Sequence, residues 1–250
     1  MSLYDKITEL QAGAPWGSVL DAGTGRASMR WLLAQQTDRW TAVTGSAKMA
    51  EMTRIEIGER LRPQDRVAVG NWLDPDLLAG ESYDTVLADY LLGAIEGFAP
   101  YWQDRLFERL RPLVRKRLYV IGLEPYVCHF PDEPAGRTIS GIGRLRDACL
   151  LLGGDLPYRE YPMDWVLRKL EQAGFQVIDA HLIGIRYGER FINSQLDMCA
   201  RALGKLRDRQ LALALQQHVA ELRNGALALC RREGSLRCGH DYVVVAEHGK

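Results

Sequence analysis

Short, almost wholly apolar runs recur along the first half of the chain, separated by helical patterns and turns. They centre on Val19-Leu20, 41–45, 66–72, 82–90 and 117–125. A strand with one wet face alternates apolar and polar residues. These runs do not alternate, so each must be covered on both faces. Between them lie an amphipathic helix over 3–12, with Leu3, Ile7 and Leu10 at helical spacing, and a helix starting near Ala27. A further helix over 47–61 ends before Pro63, and another over 100–115 has Pro100 in its first turn. The order β-α-β-α-β-β-α-β predicts a parallel sheet covered by helices. Right-handed crossovers make its first three strands one half of a doubly wound α/β fold.

The remainder is less regular. Residues 124–161 are rich in proline and glycine and read as a long excursion with one helix over 143–152. A helix over 163–175 closes at Gly174, and a strand follows at 176–185. Residues 190–233 read as helical, with a break near Gly204 or Asn224-Gly225, and 241–248 as a final strand. With no repeat or linker in view, 1–250 is expected to be one domain. Its halves are about 1–123 and 124–250, the second carrying insertions at 126–161 and 188–238.

Composition narrows the function classes. The 250 residues include 32 basic and 32 acidic side chains, a net charge of zero, which argues against a nucleic-acid partner. Hydrophobic residues make up 47%, which excludes a disordered chain. Cys128, Cys149, Cys199, Cys230 and Cys238 are dispersed, with no C-x-x-C pair. Neither a disulfide framework nor a metal site is expected, and a reducing compartment is. MSLYDKITEL does not read as a signal peptide, and no apolar run approaches the ~20 residues of a membrane span. A cytoplasmic protein with no membrane partner is the expectation.

The strongest motif is VLDAGTGRA, 19–27, where Gly23 and Gly25 follow a strand and precede a helix. Glycine lets a ligand approach the backbone, and a helix start offers free N–H groups. Such a turn also serves dinucleotide-binding folds, or is simply tight. A dinucleotide fingerprint calls for a third glycine and an acid ending the second strand. Here Ser28 and Val43-Thr44-Gly45 stand at those places, and Asp21 lies two positions ahead of Gly23. At this point the sequence resembles the class I S-adenosylmethionine (SAM)-dependent methyltransferases. Asp21, Gly23 and Gly25 match their first motif, and Tyr83-Asp84-Thr85-Val86 looks like their fourth-strand motif. LRKLEQAGFQVIDA looks like their late helix–strand unit, and YVVVAE suits their antiparallel seventh strand. The resemblance covers most of 15–125, 162–186 and 240–248. It implies a mostly parallel seven-stranded sheet with an antiparallel last strand and helical lid insertions.

The resemblance implies a cofactor held by Asp21, Gly23, Thr24, Gly25, Thr44, Ser46, Met49, Asn71, Trp72 and Asp89. Asp21 would sit near the methionine amino group, or serve only as a turn acid. Thr44 departs from the acid that usually holds the ribose, and Asn71 from the Asp that accepts from adenine. Trp72 would lie against adenine or be a half-buried packing residue. Asp89 and Tyr90 would face the transferred methyl group, or form a plain polar strand end. Asp84 reads as a structural acid that satisfies backbone donors.

Glu124, Tyr126 and His129 follow the fifth strand at the ligand-facing edge. His129 could act as a general base, or be a surface residue of a proline-rich loop. Arg144, with Arg137 and Arg146, could hold a carboxylate or line a solvated helix face. Tyr158, Tyr161 and Trp165 could line a pocket that faces a cation, or pack in a core.

The function that follows is methyl transfer from SAM to a small amine, thioether, hydroxyl or carboxyl acceptor by in-line displacement, with S-adenosylhomocysteine (SAH) as product. The candidate catalytic groups are Asp89, Tyr90, Glu124 and His129. The alternatives are a nicotinamide-dependent reductase and a non-catalytic adaptor that binds a protein through 190–233. The same segment is the candidate face of a homodimer. Residues 1–99 carry 9 basic and 14 acidic side chains, against 23 and 18 in 100–250. That split suits a cationic cofactor on one side and a carboxylate-bearing acceptor on the other.

Overall fold

The computed structural model describes residues 2–249. In chain order the elements are α1 (Leu3–Gln11), β1 (Ser18–Asp21), α2 (Arg26–Leu32), β2 (Arg39–Thr44), α3 (Ala47–Ile57), β3 (Arg66–Val69), β4 (Tyr83–Asp89) and α4 (Leu91–Ala94). There follow α5 (Leu106–Leu110), β5 (Val114–Leu123), α6 (Pro134–Leu152), α7 (Met163–Gln172), β6 (Phe175–Tyr187), α8 (Glu189–Leu203), α9 (Arg209–Glu233) and β7 (Leu236–His248). The chain forms two compact units. One holds the chain through Leu123, then Glu160–Ile183, then the end from Tyr242; the other holds Glu124–Arg159 and Gly184–Asp241.

The first unit is built on a seven-stranded sheet of order β3-β2-β1-β4-β5-β7-β6. β1 to β5 run parallel, and β7 lies antiparallel between β5 and β6. The strand period of two sends neighbouring residues to opposite faces. Leu20, Val43, Val86, Leu118, Val120 and Val244 face a core closed by Leu91, Leu106, Phe107, Val166 and Leu170 from α4, α5 and α7. Val19, Ala42, Leu87, Tyr119, Ile121 and Val243 face a second core with Ile7, Met29, Leu32 and Ile57 from α1, α2 and α3. This two-sided burial is what the unalternating strands required, except at β3, an edge strand whose Arg66 and Val69 are exposed and whose middle is only half-buried.

Local signals set several boundaries. Ser2 and Asp5 cap α1 reciprocally, with Ser2 N donating to Asp5 Oδ2 at 2.8 Å and Asp5 N to Ser2 Oγ at 3.1 Å. Gly174 follows α7 at φ +81°, the left-handed stop expected of it. Asp84 accepts from Ser18 N at 3.0 Å, the backbone-satisfying role read for it. Burial acts to raise its pKa, but Ser18, Arg115 and Lys116 outweigh this and hold it well below the carboxylate range.

Three expectations needed correction. The helix over 100–115 shrinks to α5, because Tyr101 adopts φ +63° and the chain is already strand from Val114. Arg115 and Lys116 look unlike strand residues, yet both pair with Asp84, at 2.7 and 3.2 Å. The helix over 143–152 starts nine residues earlier, at Pro134. Its glycines do not break it; Gly136 and Gly143 are where Pro131 and the Tyr126 and Val127 side chains come too close for a Cβ. Asn224-Gly225 lie inside α9, so the helical break is the one after Leu203.

The second unit packs α6 on α8, α8 on α9 and α6 on α9. Arg146 is largely buried there. It pairs with Asp147 at 2.7 Å and donates to Gln195 Oε1 at 2.7 Å and to Tyr126 Oη at 3.0 Å. Among the described residues no helix is long and apolar enough to cross a membrane.

Candidate functional site

Sheet topology points to a site before any side chain does. From β1 the chain builds outward through β2 and β3, then returns to lay β4 on the other side of β1. At such a reversal the loops leaving the C-terminal strand ends diverge and open a crevice. Asp21 ends β1 and Asp89 ends β4.

Asp21 is fully buried, and neither carboxylate oxygen has a hydrogen-bond partner. Burial pushes its pKa up to about 6, against the pull of the nearby Ser28 and Thr24 hydroxyls and the Gly23 amide. The Thr24 hydroxyl is also buried without a partner. Buried polar groups are normally satisfied, so two orphans side by side call for an explanation.

Gly25 caps α2 in an extended conformation, φ −132°, that any residue adopts. A Cβ there would meet nothing within 4 Å. Neither backbone strain nor internal packing requires glycine at this position, and the space before it is open.

At the end of β4, Tyr4 Oη donates to Asp89 Oδ2 at 2.7 Å. The Tyr4 ring stacks on Trp31 with centroids 5.7 Å apart. Burial, then the charges of Asp89 and Asp21, push the Tyr4 pKa well up. Tyr90 follows in the left-handed region at φ +48°, which costs an aromatic residue on the order of 1 kcal/mol. Its amide donates to the Ile121 carbonyl at 3.0 Å, which holds the turn.

The ends of β2 and β3 carry the next candidates. Thr44 is buried, and its hydroxyl accepts from Ser46 N at 3.3 Å, leaving its own proton to donate. Ser46 caps α3 by accepting from Met49 N at 3.2 Å. Asn71 donates to the Phe98 carbonyl at 2.8 Å and accepts from Leu73 N at 3.0 Å. Trp72 is a core residue, 4% exposed, with its indole N–H donating to the Ala22 carbonyl at 2.8 Å. The Tyr161 and Trp165 rings lie 4.3 Å apart, tilted by 37°, and pack against the α4, α5 and α7 core.

Two site-lining residues escaped sequence reasoning. The Phe98 ring is 43% exposed and lies over Gly45, where a Cβ would come within 2.6 Å of it. Tyr4 meets Asp89 across 85 positions of sequence, with no local motif to announce it.

The other candidates belong to the second unit. The Glu124 amide donates to the His240 carbonyl at 2.9 Å, and Tyr126 is buried against α6, where Ser140 Oγ donates to its carbonyl. Arg144 is engaged with its own loop. It donates to the Val127 carbonyl at 2.8 Å and to the His129 carbonyl, and covers the Phe130 ring at 3.8 Å. His129 and Tyr158 are exposed. Among the described residues, no group of three or more His, Cys, Asp or Glu side chains could hold a metal ion.

No protein-family model and no curated protein matches the chain in sequence. Solved structures do match in fold. A candidate methyltransferase of Bacillus halodurans superposes over 100% of both chains, with a TM-score of 0.63 and 13% identity. The cyclase SpnF superposes over 99% of this chain and 80% of its own, at 0.57 and 15%. A mycolic acid cyclopropane synthase complexed with SAH covers 99% and 86%, at 0.54 and 21%. The chain therefore has the fold of the class I SAM-dependent methyltransferases.

Proposed function

We propose that this protein transfers a methyl group from SAM to a small acceptor. The observation that carries the reading is the orphaned, buried Asp21 beside the open space at Gly25. A ligand with an ammonium group satisfies Asp21 there, and the Thr24 hydroxyl is at hand for a second polar contact. Thr44 and Ser46 stand where ribose hydroxyls would be held, with Asn71 and the exposed Phe98 ring for the adenine. SAM supplies a methyl group carried on a sulfonium. The protein's part is alignment: Asp89 and Tyr90 orient donor and acceptor at the end of β4, where near-attack geometry is worth several kcal/mol. An amine, thioether, hydroxyl or carboxyl acceptor fits this scheme, and only an acceptor that must lose a proton needs a base. The fold shared with a cyclopropane synthase complexed with SAH supports the choice of cofactor.

Thermal melting tests the reading. SAM or SAH at ~100 times its Kd should add about 2.7 kcal/mol. For a chain of this size that is a rise of roughly 5–10 °C. No shift with either, together with a shift on adding NADH, would replace this reading with a reductase.

A second experiment separates binding from folding. Gly25→Asn keeps a good helix cap and suits the extended φ, so stability should stay within about 0.5 kcal/mol. The side chain fills the open space, so SAM affinity should fall at least ~30-fold, about 2 kcal/mol of lost contact. Calorimetric titration beside a melting curve reads both numbers.

A further inference from the structure

The second unit carries a cleft of its own, where the ends of β6 and β7 that belong to it lie side by side. Its volume is about 410 Å³, and its lining runs over 184–186 on β6 and 237–240 on β7. No acid is among these residues. Three are basic, Arg186, Arg237 and His240, and all three are exposed. Among the described residues, neither Arg186 nor Arg237 has a carboxylate partner.

The backbone brings these side chains together. Residues three apart on a regular strand point to opposite faces, so Arg237 and His240 would be expected on different sides of β7. Gly239 lies between them at φ +67°, a left-handed residue inside the strand. That is the conformation of a bulge, which resets the alternation. The Glu124 amide donates to the His240 carbonyl at 2.9 Å and holds the strand just past the bulge. In β6, a Cβ on Gly184 would meet nothing within 4 Å, and its φ is not in the left-handed region. Neither packing nor strain calls for glycine there, and a glycine inside a strand often marks a place where a ligand comes close to the backbone.

Two guanidinium groups and an imidazole around one cleft repel one another, and a concave wall of a single sign concentrates anions. The donor set selects among them. A carboxylate has two oxygens and one charge, and a single arginine fork satisfies it. A phosphomonoester brings nearly two charges and three terminal oxygens, which match two arginines and a histidine.

We propose that this cleft binds a phosphomonoester, held by Arg186, Arg237 and His240 over the open backbone at Gly184. It shares no residue with the candidate SAM site and does not depend on that reading.

Calorimetric titration of inorganic phosphate and of phenyl phosphate at constant ionic strength tests it, with acetate as the carboxylate control. Both phosphates should bind with a Kd of about 1 mM or tighter, and acetate at least ~10-fold more weakly. Arg186→Gln and Arg237→Gln should each weaken phosphate about tenfold, the scale of one hydrogen bond to a charged group. Gly184→Val suits a strand and changes no charge. It should keep the melting temperature within about 3 °C of wild type while filling the cleft and removing phosphate binding. Flotation with phosphatidylcholine vesicles, with and without added phosphatidic acid, separates the sources of the phosphate. Recovery that needs both phosphatidic acid and the two arginines assigns a lipid headgroup, and no recovery beside binding of phenyl phosphate assigns a soluble ester. Failure of both soluble phosphates to bind overturns the site, whatever the vesicles show. So does acetate binding as tightly as phosphate, or phosphate affinity that survives Arg186→Gln/Arg237→Gln or Gly184→Val.

Discussion

Replacing Asp21 by Asn is expected to abolish SAM binding and, in the same stroke, to make the ligand-free protein more stable at neutral pH. The Asp21 pKa rises from its ordinary 3.8 to about 6 because burial outweighs the pull of the Ser28 and Thr24 hydroxyls and the Gly23 amide. A raised carboxyl pKa means the folded state binds the proton more tightly than the unfolded chain. Stability contributed by this group is therefore fully present below about pH 4 and is lost as pH rises through about 6. The shift corresponds to about 3 kcal/mol at neutral pH. Asparagine removes the charge and with it most of that cost. The variant should melt higher than wild type above pH 6, and the two curves should converge below pH 4. SAM should reverse the balance in wild type, its ammonium group pairing with the Asp21 carboxylate. Wild-type affinity should accordingly fall as pH drops below 6, by up to about tenfold per unit, while the variant shows neither binding nor that slope. A melting series from pH 4 to 8, with and without SAM, measures all of this. A variant less stable than wild type at pH 7 would mean that Asp21 is a structural acid.

The sheet was legible because its demands are local. A strand buried on both faces must be apolar at its centre, and the runs at 19–20, 41–45, 82–90 and 117–125 meet that demand in the primary sequence. Asp21 was legible for a related reason: a strand, a Gly-x-Gly turn and a helix start together specify where the backbone opens. The elements misread were those decided by distant partners. Arg115 and Lys116 extend β5 because Asp84 is waiting across the sheet. Gly136 and Gly143 sit within α6 where neighbouring side chains leave no room for a Cβ, a reason for glycine that the helix's own propensities do not show. Tyr4 and Trp72 show the same limit within the site. Trp72 was weighed as an adenine platform, yet it lies in the core with its N–H on Ala22. Tyr4 lay in an ordinary amphipathic helix, and only the fold brings it to Asp89.

The largest structural effect is expected at Gly122, in β5. A Cβ at this position would stand 2.1 Å from the Tyr242 ring, closer than any non-bonded contact. Tyr242 is 1% exposed and is tied by its hydroxyl to the Tyr161 carbonyl at 3.0 Å, so the ring cannot swing aside without breaking that bond. The glycine is thus required by packing, since its φ is not in the left-handed region. Gly122→Ala should destabilise by about 3 kcal/mol, the upper end for one extra methyl group in a packed core. That is a fall of roughly 10 °C in melting temperature for a chain of this length. If the ring is the cause, shortening it must help. Tyr242→Leu alone should also destabilise, through lost packing and the lost bond to Tyr161. The Gly122→Ala/Tyr242→Leu double variant should be less impaired than the two effects added, by at least about 1 kcal/mol. Strict additivity would show that the glycine is needed for some reason other than the ring above it.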